Sequence, residues 1–176
     1  MTRPQQPRRI HITGNAGAGK TTLAVRLGEL LNHPVHHLDS IVWQPHWQKT
    51  STCDRIPLEN ELVNQPTWII EGVSKRVRDA AELILVLDVA PWRCLYRTFL
   101  RNLPYWFRSR PGLPEHCPEI LMIPRLTKII LRFPTLVRAD LLDESLSSDK
   151  FRWIRSAIEL EEVLNSLTRQ PEIPSD

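Results

Sequence analysis

The chain has 176 residues, 41% of them hydrophobic, and a formal net charge of +3 at pH 7. These values are sufficient for one α/β domain with a buried core, and we expect a single domain over residues 1–176. The first nine residues are polar and no apolar run approaches the ~20 residues that a membrane span needs, which argues against a secretory leader or a membrane protein.

Cysteine usage favours a reducing compartment. Cys53, Cys94 and Cys117 are odd in number and lack C-x-x-C spacing. The pattern predicts neither a disulfide framework nor a zinc site, and we expect a cytoplasmic protein.

The chain begins with a βαβ unit. An apolar strand is predicted at 10–13, an amphipathic helix at 20–31 and a second strand at 35–38. Between the first strand and the helix lies the octapeptide GNAGAGKT, a complete G-x-x-x-x-G-K-T phosphate-binding loop. In such a loop the backbone N–H groups point at phosphate oxygens, the lysine reaches the β- and γ-phosphates, and the threonine hydroxyl binds Mg²⁺.

The motif therefore predicts a nucleoside triphosphate site. Lys20 is the predicted phosphate lysine, Thr21 the Mg²⁺ ligand, and Thr22 adds a hydroxyl at the helix start. The predicted nucleotide-binding residues of this segment are Gly14, Asn15, Ala16, Gly17, Ala18, Gly19, Lys20, Thr21 and Thr22.

Strands and helices continue to alternate after this unit. The predicted helices are 54–64, 91–103 and 156–167, and the predicted strands are 67–71, 83–88 and 151–154, with a basic turn at 74–76. Such alternation is typical of a three-layer α/β/α domain with a five-stranded parallel sheet. Because the strand at 83–88 is apolar throughout, we expect it at the centre of the sheet, beside the phosphate loop.

Residues 105–149 contain five prolines and no strand pattern. They are interpreted as an insertion that is helical around 120–133 and 136–142. Arg108 and Arg110 make its first part basic, and a basic segment over a phosphate site can act as a lid that excludes water.

Three acids end predicted strands. Asp88 is predicted to support Mg²⁺ or, alternatively, to cap the next helix. Asp39 is predicted to orient the substrate or accept its proton, with a turn or cap role as the alternative. Glu71 could contact a metal-bound water or be structural. Nearby, Trp43 could stack on a planar substrate or belong to the core.

Arginines dominate the segment 93–138. Arg97 and Arg101 lie four residues apart and therefore share one helix face, where they could clamp a nucleotide and stabilise charge on a transferred phosphoryl group. A solvated basic face is the alternative.

The order of these motifs resembles a known family. The sequences GNAGAGKTT, VHHLDSIVWQPHW, WIIEG and LILVLD, followed by the R-x-x-x-R helix and RSRPGLPEHCPE, resemble the adenylate-kinase-like P-loop proteins called FlaR-type, or DNA topology modulation, kinases. The resemblance implies ATP and Mg²⁺ as cofactors and an acceptor near Asp39 and Glu71. It also implies that Arg97 and Arg101 contact the nucleotide and that Arg108 and Arg110 belong to a lid. Arg76 and these two lid arginines are the predicted acceptor contacts, together with Trp43.

Together, these features predict an ATP-dependent kinase acting on a small molecule, for example a nucleoside monophosphate. Lys20, Asp39, Arg97 and Arg101 are its predicted catalytic residues. The alternative is a nucleotide-dependent regulator or nucleic-acid-associated ATPase that uses the basic 93–138 segment to bind its partner.

Overall fold

The computed structural model describes residues 6–105, 116 and 118–168. Its main sheet has five strands in the order β2-β5-β1-β6-β7, and all neighbouring pairs are parallel. The strands are β1 Arg9–Gly14, β2 Val35–His37, β5 Trp68–Glu71, β6 Leu83–Leu87 and β7 Phe151–Ile154. The two-residue strands β3 Trp43–Gln44 and β4 Gln48–Lys49 form a separate antiparallel pair.

Helices connect these strands. They are α1 Lys20–Leu31, α2 Leu38–Val42, α3 Thr52–Val63, α4 Lys75–Ala80, α5 Pro91–Asn102, α6 Ile123–Phe133, α7 Ala139–Leu146 and α8 Ala157–Thr168. Among the residues described, no helix is long and apolar enough to cross a membrane.

The core lies on both faces of the sheet. Neighbouring residues of a strand point to opposite faces, so Ile69 joins a cluster with α1 and α8 residues, whereas Ile70 joins one that includes Val77 of α4 and Leu141 of α7. Because both faces are covered, a strand such as β6 is apolar along its whole length. The predicted three-layer α/β/α arrangement with a five-stranded parallel sheet is confirmed.

The register of the strands places their ends together. Ile12 of β1 and His37 of β2 are both level with Glu71, the last residue of β5. On the other side of β1, Gly14 is level with Leu87, which is followed by Asp88. The phosphate loop therefore leaves the sheet between two strand-end acids.

Several local predictions were wrong. The centre of the sheet is β1, and the 83–88 strand lies beside it as β6. Lys75 and Arg76 of the predicted basic turn already belong to the helix α4, which Ser74 caps by accepting a hydrogen bond from the Val77 N–H. The second strand ends at His37 because Leu38 already begins α2.

In the described part of the segment 105–149, α6 and α7 lie close to the helices that were predicted around 120–133 and 136–142. The segment Pro134–Arg138 forms a π-type turn between α6 and α7. Arg108, Arg110 and Cys117 of the same segment, and residues 169–176 at the end of the chain, lie outside the described residues.

Candidate active site

The phosphate loop is shaped by glycines with left-handed backbones. Gly17 and Gly19 have φ angles of 80° and 102°, which most L-residues disfavour. Gly17 also packs closely on α5: a Cβ there would lie 2.4 Å from Thr98 Oγ1 and 2.5 Å from Cys94 O. The loop therefore needs glycine for conformation and for its close approach to the helix.

Asn15 fixes the loop from inside. Its side chain is buried; Nδ2 donates to Ile130 O of α6 at 2.9 Å, and Oδ1 accepts from the Ala16 N–H at 2.8 Å. The Ala18 N–H donates to Asn15 O at 3.2 Å. A backbone carbonyl of α6 therefore helps to hold the loop through Asn15.

Lys20 lies over the loop that it follows. Its Nζ donates to Asn15 O at 3.0 Å. Burial lowers the pKa of Lys20 below its ordinary value, and the charges of Glu71 and Asp39 oppose that shift. Two of the predicted strand-end acids therefore act electrostatically on the predicted phosphate lysine.

Glu71 is the carboxylate that contacts the predicted Mg²⁺ ligand. The Thr21 hydroxyl donates to Glu71 Oε1 at 3.0 Å, and His37 Nδ1 lies 3.1 Å from the same oxygen. Glu71 is only 5% exposed, so these partners take the place of water around its carboxylate. The sequence analysis did not select His37 as a site residue, because nothing local signals a contact 34 residues away.

Asp88 is held by arginines. Arg138 Nε and Nη2 donate to its two oxygens, each at 2.9 Å, and Arg155 Nε lies 3.5 Å from Oδ2. The hydrogen bond from Arg138 is the largest cause that holds the pKa of Asp88 below its usual range. The carboxylate in contact with Thr21 is thus Glu71, and a metal role for Asp88 stays a prediction. The alternative of a helix cap is wrong, since Ala90 precedes α5 and makes no side-chain cap.

The predicted arginines take different positions. Arg97 Nη1 reaches the carbonyl of Ala18 in the phosphate loop at 3.5 Å. Burial is the largest cause of the lowered pKa of Lys20, and the charge of Arg101 lowers it further, so this guanidinium acts on the loop electrostatically. Arg76 instead donates to Asn60 Oδ1 at 3.0 Å, on the α3 side of the sheet.

The acceptor side of the predicted site contains a tryptophan pair. Asp39 is exposed in the first turn of α2, and Trp43 follows that helix. The Trp43 ring meets Trp47 edge to face at 5.5 Å, and the Arg125 guanidinium lies 4.8 Å from its centre. One face of Trp43 is therefore covered by a cation of the insertion rather than by the core.

Comparisons with solved structures identify the fold. A shikimate kinase from Acinetobacter baumannii in complex with shikimate is 17% identical, with a TM-score of 0.54 and coverage of 90% of this chain and 91% of that one. An unliganded sugar kinase from a Janibacter species is 14% identical, with a TM-score of 0.53 and coverage of 91% and 93%. A gluconokinase from Sinorhizobium meliloti is 13% identical, with a TM-score of 0.52 and coverage of 93% and 91%.

The likeness extends over the whole domain and is one of fold. At these identities it does not carry an activity or a substrate from one chain to the other. No protein-family model matches the sequence, and no curated protein matches it. The FlaR-type resemblance therefore stays a prediction, whereas the P-loop kinase fold is observed.

Proposed function

We propose that this chain is an ATP-dependent kinase that transfers a phosphoryl group to a small-molecule acceptor. The observation that carries the proposal is the convergence of Lys20, Thr21 and Glu71 at the ends of β1 and β5, with Arg97 against the same loop. Phosphoryl transfer needs positioning and electrostatic stabilisation rather than a covalent nucleophile, and this site supplies both. The fold shared with several kinases supports the same conclusion.

The loop fits a nucleotide phosphate. Gly14, Gly17 and Gly19 have positive φ angles, and a Cβ at Gly14 would lie 2.7 Å from Leu87 O, so these positions admit only glycine without rearrangement. A backbone of this shape is the type that turns N–H groups toward phosphate. Residues 14–22 would hold ATP, which would supply the transferred phosphoryl group.

Thr21 and Glu71 fit a magnesium ion bound with the nucleotide. Mg²⁺ prefers oxygen ligands and usually keeps several waters while one or two protein oxygens and the phosphates complete its coordination. Thr21 offers a hydroxyl, and Glu71 offers a buried carboxylate 3.0 Å from it. We infer that Glu71 orients the ion's waters, with His37 fixing the position of its carboxylate.

The acceptor would lie near Asp39 and Trp43. Asp39 is exposed and its charge acts on Lys20, so it can receive a proton from an acceptor hydroxyl beside the phosphate loop. Candidate acceptors with hydroxyl groups, such as sugars and hydroxy acids, should therefore be tested together with nucleoside monophosphates. Arg76, Arg108 and Arg110 stay predicted acceptor contacts.

An acceptor panel tests the proposal. ADP release from ATP and Mg²⁺ is measured with sugars, hydroxy acids and nucleoside monophosphates, for the wild type and for Lys20→Ala. We expect at least one acceptor to stimulate ADP release and Lys20→Ala to abolish the stimulated rate. Lys128→Ala, which removes an exposed lysine of α6, is the matched control and should retain it.

The same assay decides the alternative function. Hydrolysis that no acceptor changes, and that DNA or RNA stimulates, would replace the kinase with a nucleic-acid-associated ATPase. Such binding would weaken steeply with salt, because it would depend on phosphate contacts.

A further inference from the structure

An arginine of α6 rests on a tryptophan ring at the acceptor side of the site. The Arg125 guanidinium lies 4.8 Å from the centre of the Trp43 ring, within the distance of about 6 Å at which a ring face attracts a cation. Trp43 is half-buried and meets Trp47 edge to face, and Trp47 Nε1 donates to Pro118 O at 3.0 Å. The ring that carries the guanidinium is therefore itself held in place.

The hydrogen-bond donors of this guanidinium are unused. Within the described part of the chain, Arg125 has no ion-pair partner and donates no hydrogen bond. Arg138 and Arg78, by contrast, each donate through two nitrogens to a carboxylate, that of Asp88 and that of Glu144. The helix α6 itself carries three basic residues and no acid. An arginine already held on a ring loses less conformational freedom on binding an anion than a mobile one does.

Two backbone contacts connect this arginine to the rest of the site. The Trp43 N–H donates to Asp39 O, so the ring follows by one helical turn the carboxylate that is proposed to receive the acceptor's proton. On the other side, Ile130 O of α6 accepts a hydrogen bond from Asn15 Nδ2 of the phosphate loop. Arg125 precedes Ile130 by five positions, which is about 7.5 Å along the helix axis. The guanidinium is therefore held between α2 and the helix that touches the phosphate loop.

We propose that Arg125 binds an anionic group of the phosphoryl acceptor, either a carboxylate or a phosphate. The inference rests on the proposed function, since it assigns a further contact to the same acceptor. The planar guanidinium fork binds either anion through two parallel hydrogen bonds. The acceptor points its hydroxyl to Asp39 and its anion to Arg125, because the negative charge of Asp39 repels the anion. Trp43 is then a positioning residue, which holds the guanidinium in place.

Three pairs of compounds test the requirement for an anion. They are gluconate and sorbitol, glucose 6-phosphate and glucose, and AMP and adenosine, and in each pair only the first member is anionic. Binding to the ¹⁵N-labelled full chain is followed by NMR, and the Nε–H signal of Arg125 reports on the proposed contact without any turnover. We expect at least one anionic compound to bind saturably and shift this signal, and its neutral counterpart to bind on the order of tenfold more weakly. The pair that shows the difference distinguishes a carboxylate from a phosphate.

Substitutions on α6 and at the ring locate the anion. Arg125→Gln should weaken the anionic compound on the order of tenfold and leave its neutral counterpart unchanged. Arg125→Lys keeps the charge but lacks the planar fork, so it should restore the affinity only in part. Trp43→Leu leaves the charge in place but no longer holds it, and it should also weaken the anion. Lys128→Gln, at an exposed lysine of the same helix, is the matched control and should bind as the wild type does.

The outcomes separate this inference from the proposed function. For an acceptor that is phosphorylated, Arg125→Gln should raise KM about tenfold and change kcat less, because the anion lies away from the reacting hydroxyl. Phosphoryl transfer with an unchanged KM, or equal use of the neutral counterpart, overturns the role of Arg125 and leaves the kinase intact. Anion binding at Arg125 without transfer to any acceptor supports the anion site and contradicts the kinase. Absence of binding by every anionic compound, or equal binding by Arg125→Gln, overturns the anion site.

Discussion

His11 should make the stability of this protein fall steeply in mild acid. It is fully buried in β1, and its Nε2 donates to Gly72 O at 3.1 Å. Gly72 is the residue that follows Glu71 in the chain. Burial lowers the pKa of His11 from 6.5 to about 3. The folded chain therefore keeps this imidazole neutral over a pH range in which the unfolded chain protonates it.

The sign and size of the effect follow from this difference. Below pH 6.5 the unfolded state binds one more proton at His11 than the folded state, so the free energy of unfolding falls as the pH decreases from 6.5 toward about 3. The slope is about 1.4 kcal/mol per pH unit, which gives a loss of about 2 kcal/mol from this residue at about pH 5.

Urea unfolding at about pH 8 and about pH 5, followed by tryptophan fluorescence, measures this loss of unfolding free energy. Trp68 is fully buried and reports on the core. His11→Gln retains a donor for Gly72 O but does not titrate. The fall in unfolding free energy between the two pH values should be about 2 kcal/mol smaller in this variant than in the wild type. His36→Gln, at a half-buried histidine, is the control and should behave as the wild type. Equal falls for the wild type and His11→Gln would refute the reasoning.

Four further substitutions test the site. Gly17→Ala places a Cβ 2.4 Å from a side-chain oxygen of α5, whereas the Cβ of Gly19→Ala meets no atom within 4 Å. Both substitutions strain the backbone, so the difference between them reports the close contact with α5. In urea unfolding, Gly17→Ala should be less stable than Gly19→Ala by about 1–3 kcal/mol. Glu71→Gln should lower the Mg²⁺-dependent rate of ADP release on the order of 100-fold, because the carboxylate beside Thr21 loses its charge. Asp88→Asn should retain that rate but lower the free energy of unfolding by about 1–3 kcal/mol, because Arg138 loses a charged partner.

Other results would change specific assignments. Equal stabilities of the two glycine variants would mean that the loop does not pack on α5 as closely as the contact distance implies. If Asp88→Asn abolished the Mg²⁺ dependence and Glu71→Gln did not, the metal role predicted for Asp88 from the sequence would replace that of Glu71.

The local sequence was sufficient to predict those features that are formed by residues close together in the chain. The phosphate loop, its flanking strand and α1 form one continuous segment, so the motif predicts the positions of Lys20 and Thr21 directly. The alternating strands and helices likewise predict the sheet. The short helix α4 was missed because its six residues are too few to show a helical period.

Contacts between distant segments could not be predicted in this way. Asp88 and Arg138 are 50 residues apart, and Asn15 and Ile130 are 115 apart. A strand-end acid three residues before a proline, such as Asp88, is equally consistent with a metal residue, a helix cap or an ion-pair partner until the packing of α6 and α7 is known. The contact of Glu71 with Thr21 depends in the same way on the register between β1 and β5.

The central claim concerns the fate of the γ-phosphoryl group. ATP labelled with ³²P at that group, incubated with the chain, Mg²⁺ and each acceptor of the panel, shows directly whether the label reaches the acceptor or water. Phosphoryl transfer predicts a labelled acceptor in excess of labelled inorganic phosphate, and its absence in Lys20→Ala. Label found only in inorganic phosphate, with every acceptor, would contradict the proposed kinase.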